Sequence, residues 1–323
     1  MTRSIRGSFA AMCLASVVAA HPDTAGAQGY PSKPVRLVTA AAGAGGDFVS
    51  RIVAAGLTEL WGQQVIIDNR GGSAVIPIEL VARAPADGYT LLGFGTALWH
   101  LPLMQGVSYD PIRDFAPITL VATTPMILVV HPSLPVKSVN ELIALARKRP
   151  GQLNYSSGIS GSTTHLPAEM FKAMAGVDIV RVSYKGGAPA LTALLGGETQ
   201  IMFANSGGAG PHIHGGRLRA LAVTTAQRSA LFPDLPTIAA SGLPGYEAAS
   251  NQCIFAPAAT PPAIVSQLSR DVIRVLSKPE VKERFLRAGS EIVGNSPDEL
   301  AKAIKSDMLA MGKVIKQAGI RAD

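Results

Sequence analysis

The sequence predicts an α/β protein built on a largely parallel sheet, and three observations carry that prediction. Short β-branched runs alternate with amphipathic stretches in the strand–loop–helix rhythm of βαβ units. The 33 Gly and 23 Pro follow no fixed period and punctuate many short elements. Two segments, Val35 to Val53 and Leu153 to Phe171, share one plan of strand, glycine-rich loop and helix. At about 100–200 residues per domain, a chain of 323 residues is expected to form two domains.

The elements follow in order. Val35 to Thr39 is a β-branched strand, and Ala40 to Gly46 is a loop of small residues. From Asp47 to Trp61, Phe48, Ile52, Ala55 and Leu60 recur at helical spacing, and Gly62 ends the helix. Val65-Ile66-Ile67 is a second strand, Glu79 to Arg83 a second helix and Thr90 to Phe94 a third strand. Ile118 to Val130 is a long β run interrupted by Pro125, read as a strand crossing between domains. Ser138 and Glu141 form a capping box before a helix to Lys148. Strands are then expected at Leu153–Tyr155, Ile179–Val182, Gln200–Ala204 and Arg219–Val223, with helices to about Met174 and from Pro189 to Leu195. Ile254-Phe255-Ala256 is the return crossing. Pro262 opens a helix, and Ser296-Pro297-Asp298-Glu299 opens the last one with a capping box and a proline at its first position.

Composition excludes several classes. Hydrophobic residues make up 47% and charged residues 16%, so the chain is not disordered. The net charge of +7 comes from scattered Lys and Arg without a run, which argues against a nucleic-acid partner and favours anionic small molecules. Two cysteines, Cys13 and Cys253, build neither a disulfide scaffold nor a thiolate zinc site. Residues 1–27 are expected to be an export signal: Arg3 and Arg6, a short apolar run, then Ala25-Gly26-Ala27 as cleavage site. No other apolar run reaches membrane-spanning length, so no membrane insertion of the mature chain is expected.

Two loops carry the candidate chemistry. The first is Ala42-Gly43-Ala44-Gly45-Gly46-Asp47. Its glycines let backbone approach a ligand closely, and the helix start beyond it offers unpaired N–H groups to a carboxylate or phosphate. Phe48 stands where a dinucleotide fingerprint needs its third glycine, so a nucleotide is not expected. The plainer reading is a tight turn capped by Asp47.

The second loop runs from Ser156 to His165 and offers Ser157, Ser160, Gly161, Ser162, Thr163 and His165 as ligand contacts. Its plainer reading is helix capping. Ser160 or Ser162 beside His165 also raises a serine hydrolase, but Gly158-Ile159-Ser160-Gly161-Ser162 misses the nucleophile-elbow pattern at its last position. Thr96, at the carboxyl end of the third strand, Lys185 after a later strand, and Asn205 complete the candidates. His212 and His214 form an H-x-H pair with no third ligand nearby, better read as an exposed turn; no metal and no cofactor are expected.

Together the motifs resemble the Bug (TctC-like) family, extracytoplasmic solute receptors of tripartite tricarboxylate transporters. The likeness runs from about Tyr30 to Asp323. It rests on Tyr30-Pro31-Ser32-Lys33-Pro34-Val35-Arg36, Asp68-Asn69-Arg70, Asp87-Gly88-Tyr89-Thr90-Leu91-Leu92 and Tyr109-Asp110-Pro111. Tyr184-Lys185-Gly186-Gly187-Ala188-Pro189-Ala190, Leu235-Pro236-Thr237 and Ser241-Gly242-Leu243-Pro244-Gly245-Tyr246 continue it.

The resemblance implies a type II periplasmic-binding-protein fold: two α/β domains, joined by two crossing strands, closing on a ligand. Domain 1 is then residues 28–125 with 252–323, and domain 2 is 126–251. It implies a periplasmic, monomeric receptor that captures a small carboxylate for the membrane components of a transporter, and not an enzyme. A ligand sensor presenting its closed form to a signalling partner is the alternative. The chain departs from the family's usual residues at Thr39-Ala40-Ala41, at Ala44, at Ser73 to Pro77, and at Asn251, where a tryptophan is usual. Loss of bulk at Ala40, Ala41 and Asn251 is expected to enlarge the pocket or make it more polar.

Overall fold

In the computed structural model, which describes residue 1 and residues 29–42, 45–71 and 73–321, the β-branched run Val35–Thr39 forms strand β1 and the amphipathic stretch beyond it forms helix α1 (Gly45–Trp61). The expected export signal, apart from Met1, lies outside the described residues, as do Gly43 and Ala44. There follow β2 (Val65–Asn69), α2 (Val75–Ala82), β3 (Thr90–Gly95), α3 (Ala97–Met104) and the long β4 (Phe115–Val130). Next come α4 (Val139–Lys148), β5 (Asn154–Ser157), α5 (Leu166–Ala175), β6 (Val180–Ser183), α6 (Gly187–Leu195), β7 (Ile201–Asn205) and α7 (Ser206–His214). The chain continues through β8 (Arg219–Val223), β9 (Ala249–Pro257), α8 (Pro262–Leu276), α9 (Pro279–Arg287), β10 (Glu291–Ile292) and α10 (Pro297–Ala318).

The strands are ordered β2-β1-β3-β9-β4-β7-β5-β6, with β8 and β10 also pairing with β4. The expectation of a largely parallel sheet holds only at the two ends. β1 is parallel to β2 and β3, and β5 is parallel to β6 and β7, but β9 and β4 run antiparallel to each other and to their neighbours. The reason is β9: it returns from beyond β8 and inserts between β3 and β4.

Pro125 does not interrupt β4. Residues Phe115 to Pro125 pair with β9, and Met126 to Val130 pair with β7 and β8. The proline, which has no N–H to donate, sits where the strand changes partners, and Pro117 sits beside a register shift. Both prolines therefore cost the ladder little.

Each end of the sheet buries its own apolar side chains. Leu37, Ile52, Leu57, Leu91 and Val272 form one core, and Leu128, Tyr155, Phe171, Phe203 and Tyr246 another, all essentially inaccessible to solvent. Each such side chain contributes about 1.5–3 kcal/mol. The final helix bridges them, since α10 packs on α3, α5 and β4.

The helix-start signals are realised in full at α10 and in half at α4. Ser296 and Glu299 form the reciprocal capping box. Ser138 accepts from the Glu141 N–H, but the Glu141 carboxylate takes the Lys137 N–H instead of closing the box. No helix among the described residues is long and apolar enough to cross a membrane.

Candidate functional site

The first loop is braced from β2. Asn69 donates to the Ala40 carbonyl at 2.9 Å and to Asp47 Oδ1 at 2.8 Å, and its own carbonyl accepts from Arg51. Arg51 Nε also donates to Asp47 at 3.0 Å. Asp47 is thus a buried carboxylate spent on tying α1 to β2, not a group held out to a ligand. Beside it, Arg36 and Arg70 hold Asp68. Burial pushes the Asp68 carboxyl up, but these two guanidinium groups outweigh it and keep it below the ordinary carboxylate range. Gly46 lies in α1 against the Gln252 side chain, where an added Cβ would sit 3.1 Å from Oε1. Gly45 is the first residue of α1, and Ala42 is exposed ahead of it.

The second loop is organised by a residue that the sequence reading did not single out. Arg181, on β6, donates to Ser157 Oγ at 2.8 Å, Ser160 Oγ at 3.0 Å, the Gly158 carbonyl at 2.8 Å and Ser183 Oγ at 3.2 Å. Thr164 accepts from the Gly158 N–H at 2.8 Å. His165 Nδ1 accepts from the Gly161 N–H at 3.0 Å, and its Nε2 faces Glu169 at 4.0 Å. Accepting at Nδ1 makes Nε2 the protonated nitrogen of the neutral ring. His165 is therefore a buried part of the loop's frame.

Between α3, α10, the second loop and the segment before β9 lies a cavity of about 470 Å³. It brings together Thr96, Ser160, Gly161, Ser162 and Thr163, five of the residues expected to bind ligand. Asn251 also lines it and accepts from Thr123 Oγ1 at 2.8 Å. Asp307, on α10, lines it too: its Oδ2 accepts from Trp99 Nε1 at 2.5 Å and pairs with His100 Nε2 at 2.6 Å. Burial raises the Asp307 carboxyl, but the bonds from His100 and Trp99 win and hold it below its ordinary value. Glu247 also lines the cavity; partial burial first, then the nearby Asp307 charge, raises its carboxyl.

The other expected residues lie elsewhere. Ser157 is fully buried, donates to the Gly158 carbonyl and accepts from Arg181, so its hydroxyl is used up beneath the loop. Lys185 and Asn205 are exposed and do not line the cavity; Asn205 is the residue before α7. His212 and His214 sit in α7 rather than in a turn. Two residues apart on a helix, they point in different directions and make no chelating pair. His214 Nδ1 faces the Gly210 carbonyl at 2.8 Å, and the described residues hold no group of three metal-type side chains.

The expected sites missed Trp99, His100, Arg181 and Asp307. An arginine alternating with Val180 and Val182 on a strand carries no signal beyond an exposed edge, and Trp99 and Asp307 are 208 residues apart.

Three comparisons bear on this geometry. The model of the tripartite tricarboxylate transporter family receptor (TctC) matches residues 49–320. The protein BugT of Bordetella pertussis is 33% identical over 297 residues, covering 90% of this chain and 91% of BugT. Among solved structures, R. palustris Rpa4515 with adipate is 39% identical, with a TM-score of 0.71 over 90% of this chain and 99% of that one. The periplasmic binding protein BugD is 30% identical, with a TM-score of 0.70 over 91% and 100% of the two chains.

Proposed function

This chain belongs to the TctC family of tripartite tricarboxylate transporter receptors, periplasmic solute-binding proteins rather than enzymes, and we propose that it captures a small carboxylate in the cavity beside α10. The observation that carries the reading is the shared wall: Thr96, beyond β3, and Ser160 to Thr163, beyond β5, face one space from opposite ends of the sheet. A ligand there bridges both ends. The adipate bound by Rpa4515 supports a carboxylate as the ligand class.

Residues 28–125 with 252–323 form one domain in this reading, and 126–251 the other. Pro125 and Met126 mark the change of strand partners that the boundary follows. Ligand bound by both domains shifts an open–closed equilibrium toward the closed form. The closed form is then what the membrane components of the transporter recognise. Backbone N–H groups and hydroxyls of the second loop supply the donors to the carboxylate, in a space with mostly apolar walls.

The test is a calorimetric titration with a panel of carboxylates of protein first denatured and refolded to strip any carried ligand. Saturable one-to-one binding without turnover supports the receptor; hydrolysis of ester substrates, lost in His165→Ala, would overturn it.

A further inference from the structure

Resting on the receptor reading, we propose that Gly312 is the flex point of α10 and thereby sets how readily the two domains part when no ligand is bound. Helix α10 is a third connection between the domains, beside β4 and β9. It is 22 residues long, about 33 Å. Its first half packs in one core, where Leu300 and Ile304 lie with Trp99 and Phe255. Its second half packs in the other, where Met311, Val314 and Ile315 lie with Tyr155 and Phe171. By sequence α10 follows the first domain; by packing it belongs to both.

The change of core takes place within one turn. Asp307 and Met308 are the last residues tied to the first core, Asp307 through Trp99 and His100. Met311 is the first residue seated in the second, and Gly312 follows it. Ile304, Asp307, Ala310 and Met311 line the cavity, so a ligand touches the helix where its two halves meet. A glycine inside a helix destabilises it relative to alanine. Lack of room does not require one here, since an added Cβ would meet Leu103 Cδ2 at 3.8 Å, an ordinary van der Waals contact.

Helix α10 is continuous in this structure, with both halves seated. The continuous helix therefore goes with the arrangement in which both ends of the sheet wall one cavity. The domains can part only if α10 bends or one half leaves its core. Withdrawing Met311, Val314 and Ile315 would expose three buried apolar side chains, so bending is the less costly route. A glycine at the junction lets the backbone leave helical geometry more easily than any other residue.

The experiment compares the unaltered chain with Gly312→Ala. Both are measured by small-angle scattering without ligand, then titrated calorimetrically, after refolding, with adipate and a panel of other carboxylates. Among the described residues Gly312 does not line the cavity, so the new methyl group touches no ligand. Alanine favours the continuous helix by the helix-propensity difference, which bounds the population shift at about fivefold. Gly312→Ala is expected to be more compact without ligand, to contract less on binding and to bind about two- to fivefold more tightly. A raised melting temperature with unchanged compactness and affinity would make the glycine merely structural and overturn the proposal, as would weaker binding. If Gly312→Ala melts lower, the comparison is made in a Leu103→Ala background, which removes the side chain that the methyl meets. If no carboxylate binds either protein, the receptor reading fails; equal size of the two ligand-free proteins overturns this proposal by itself.

Discussion

Arg181 Nε lies 2.8 Å from Ser157 Oγ, and this pairing converts Ser157 from an expected ligand contact into the floor of the second loop. A hydroxyl that donates to the Gly158 carbonyl and accepts from a guanidinium has no donor left for a solute. The loop's shape therefore depends on a strand residue outside the loop.

Arg181→Lys keeps the charge and loses the fork that reaches four oxygens. It is expected to weaken ligand binding by at least about tenfold, because Ser160 and Gly158 lose their anchors. Ser157→Ala is expected to cost about 1–3 kcal/mol of stability in urea unfolding and to change affinity far less. A Ser157→Ala protein of unchanged stability and lost affinity would return Ser157 to the ligand.

Gly161 has φ +74°, and an added Cβ would stand 2.7 Å from Met104 Sδ. Gly161→Ala is expected to destabilise by more than about 1 kcal/mol, from backbone strain together with the displaced sulfur. Repeating it in a Met104→Ala background separates the two. The strain remains while the contact disappears, so the double-mutant cycle should show coupling. Strict additivity would mean that the Met104 sulfur does not rest on Gly161 in solution.

Asp307 carries a prediction in pH. A carboxyl whose folded pKa is depressed stabilises the fold above its unfolded value, 3.8, and loses that stability as pH falls through the lower folded value. Asp307→Asn is expected to cost about 1.5–3 kcal/mol near neutrality, by weakening bonds that a charged acceptor makes to His100 and Trp99. The difference from the unaltered chain should shrink below pH 3.8, as followed by urea unfolding from pH 7 downward. A difference that persists undiminished well below pH 3.8 would contradict the charged acceptor.

Cys253 lies in β9, fully buried, and burial pushes its thiol far above the ordinary value. Only the thiolate reacts with thiol reagents. Residues 28–323, which lack Cys13, are expected to resist labelling at pH 8 when folded and to react on unfolding. Rapid labelling of the folded chain would show that β9 opens locally.

What could be read from the sequence depended on how local the signal was. The plan of β1 and α1, repeated at β5 and α5, was legible because periodic apolar residues and glycine loops lie within about twenty residues of one another. The capping box at Ser296 was legible for the same reason. Helix α7 was not, since Ser206-Gly207-Gly208-Ala209-Gly210-Pro211 has almost no intrinsic helical preference and is held by tertiary packing. Helix α3, with Pro102 inside it, was hidden likewise. The loops lining the cavity were readable, and the Trp99–Asp307 pairing that also lines it was not. Pairing Trp99 with Asp307 requires knowing that α10 crosses back over α3, a relation of the fold and not of any motif.

The central claim is that this chain holds a carboxylate, and a thermal-shift screen of stripped protein against carboxylates and amino acids tests it most directly. A ligand present at a hundredfold excess over its Kd stabilises the folded chain by about 2.7 kcal/mol, a readily visible rise in the midpoint. The account predicts that one carboxylate, or a few related ones, raises the midpoint and that the amino-acid panel at large does not. A flat response to every carboxylate, from protein shown to have refolded, would contradict it.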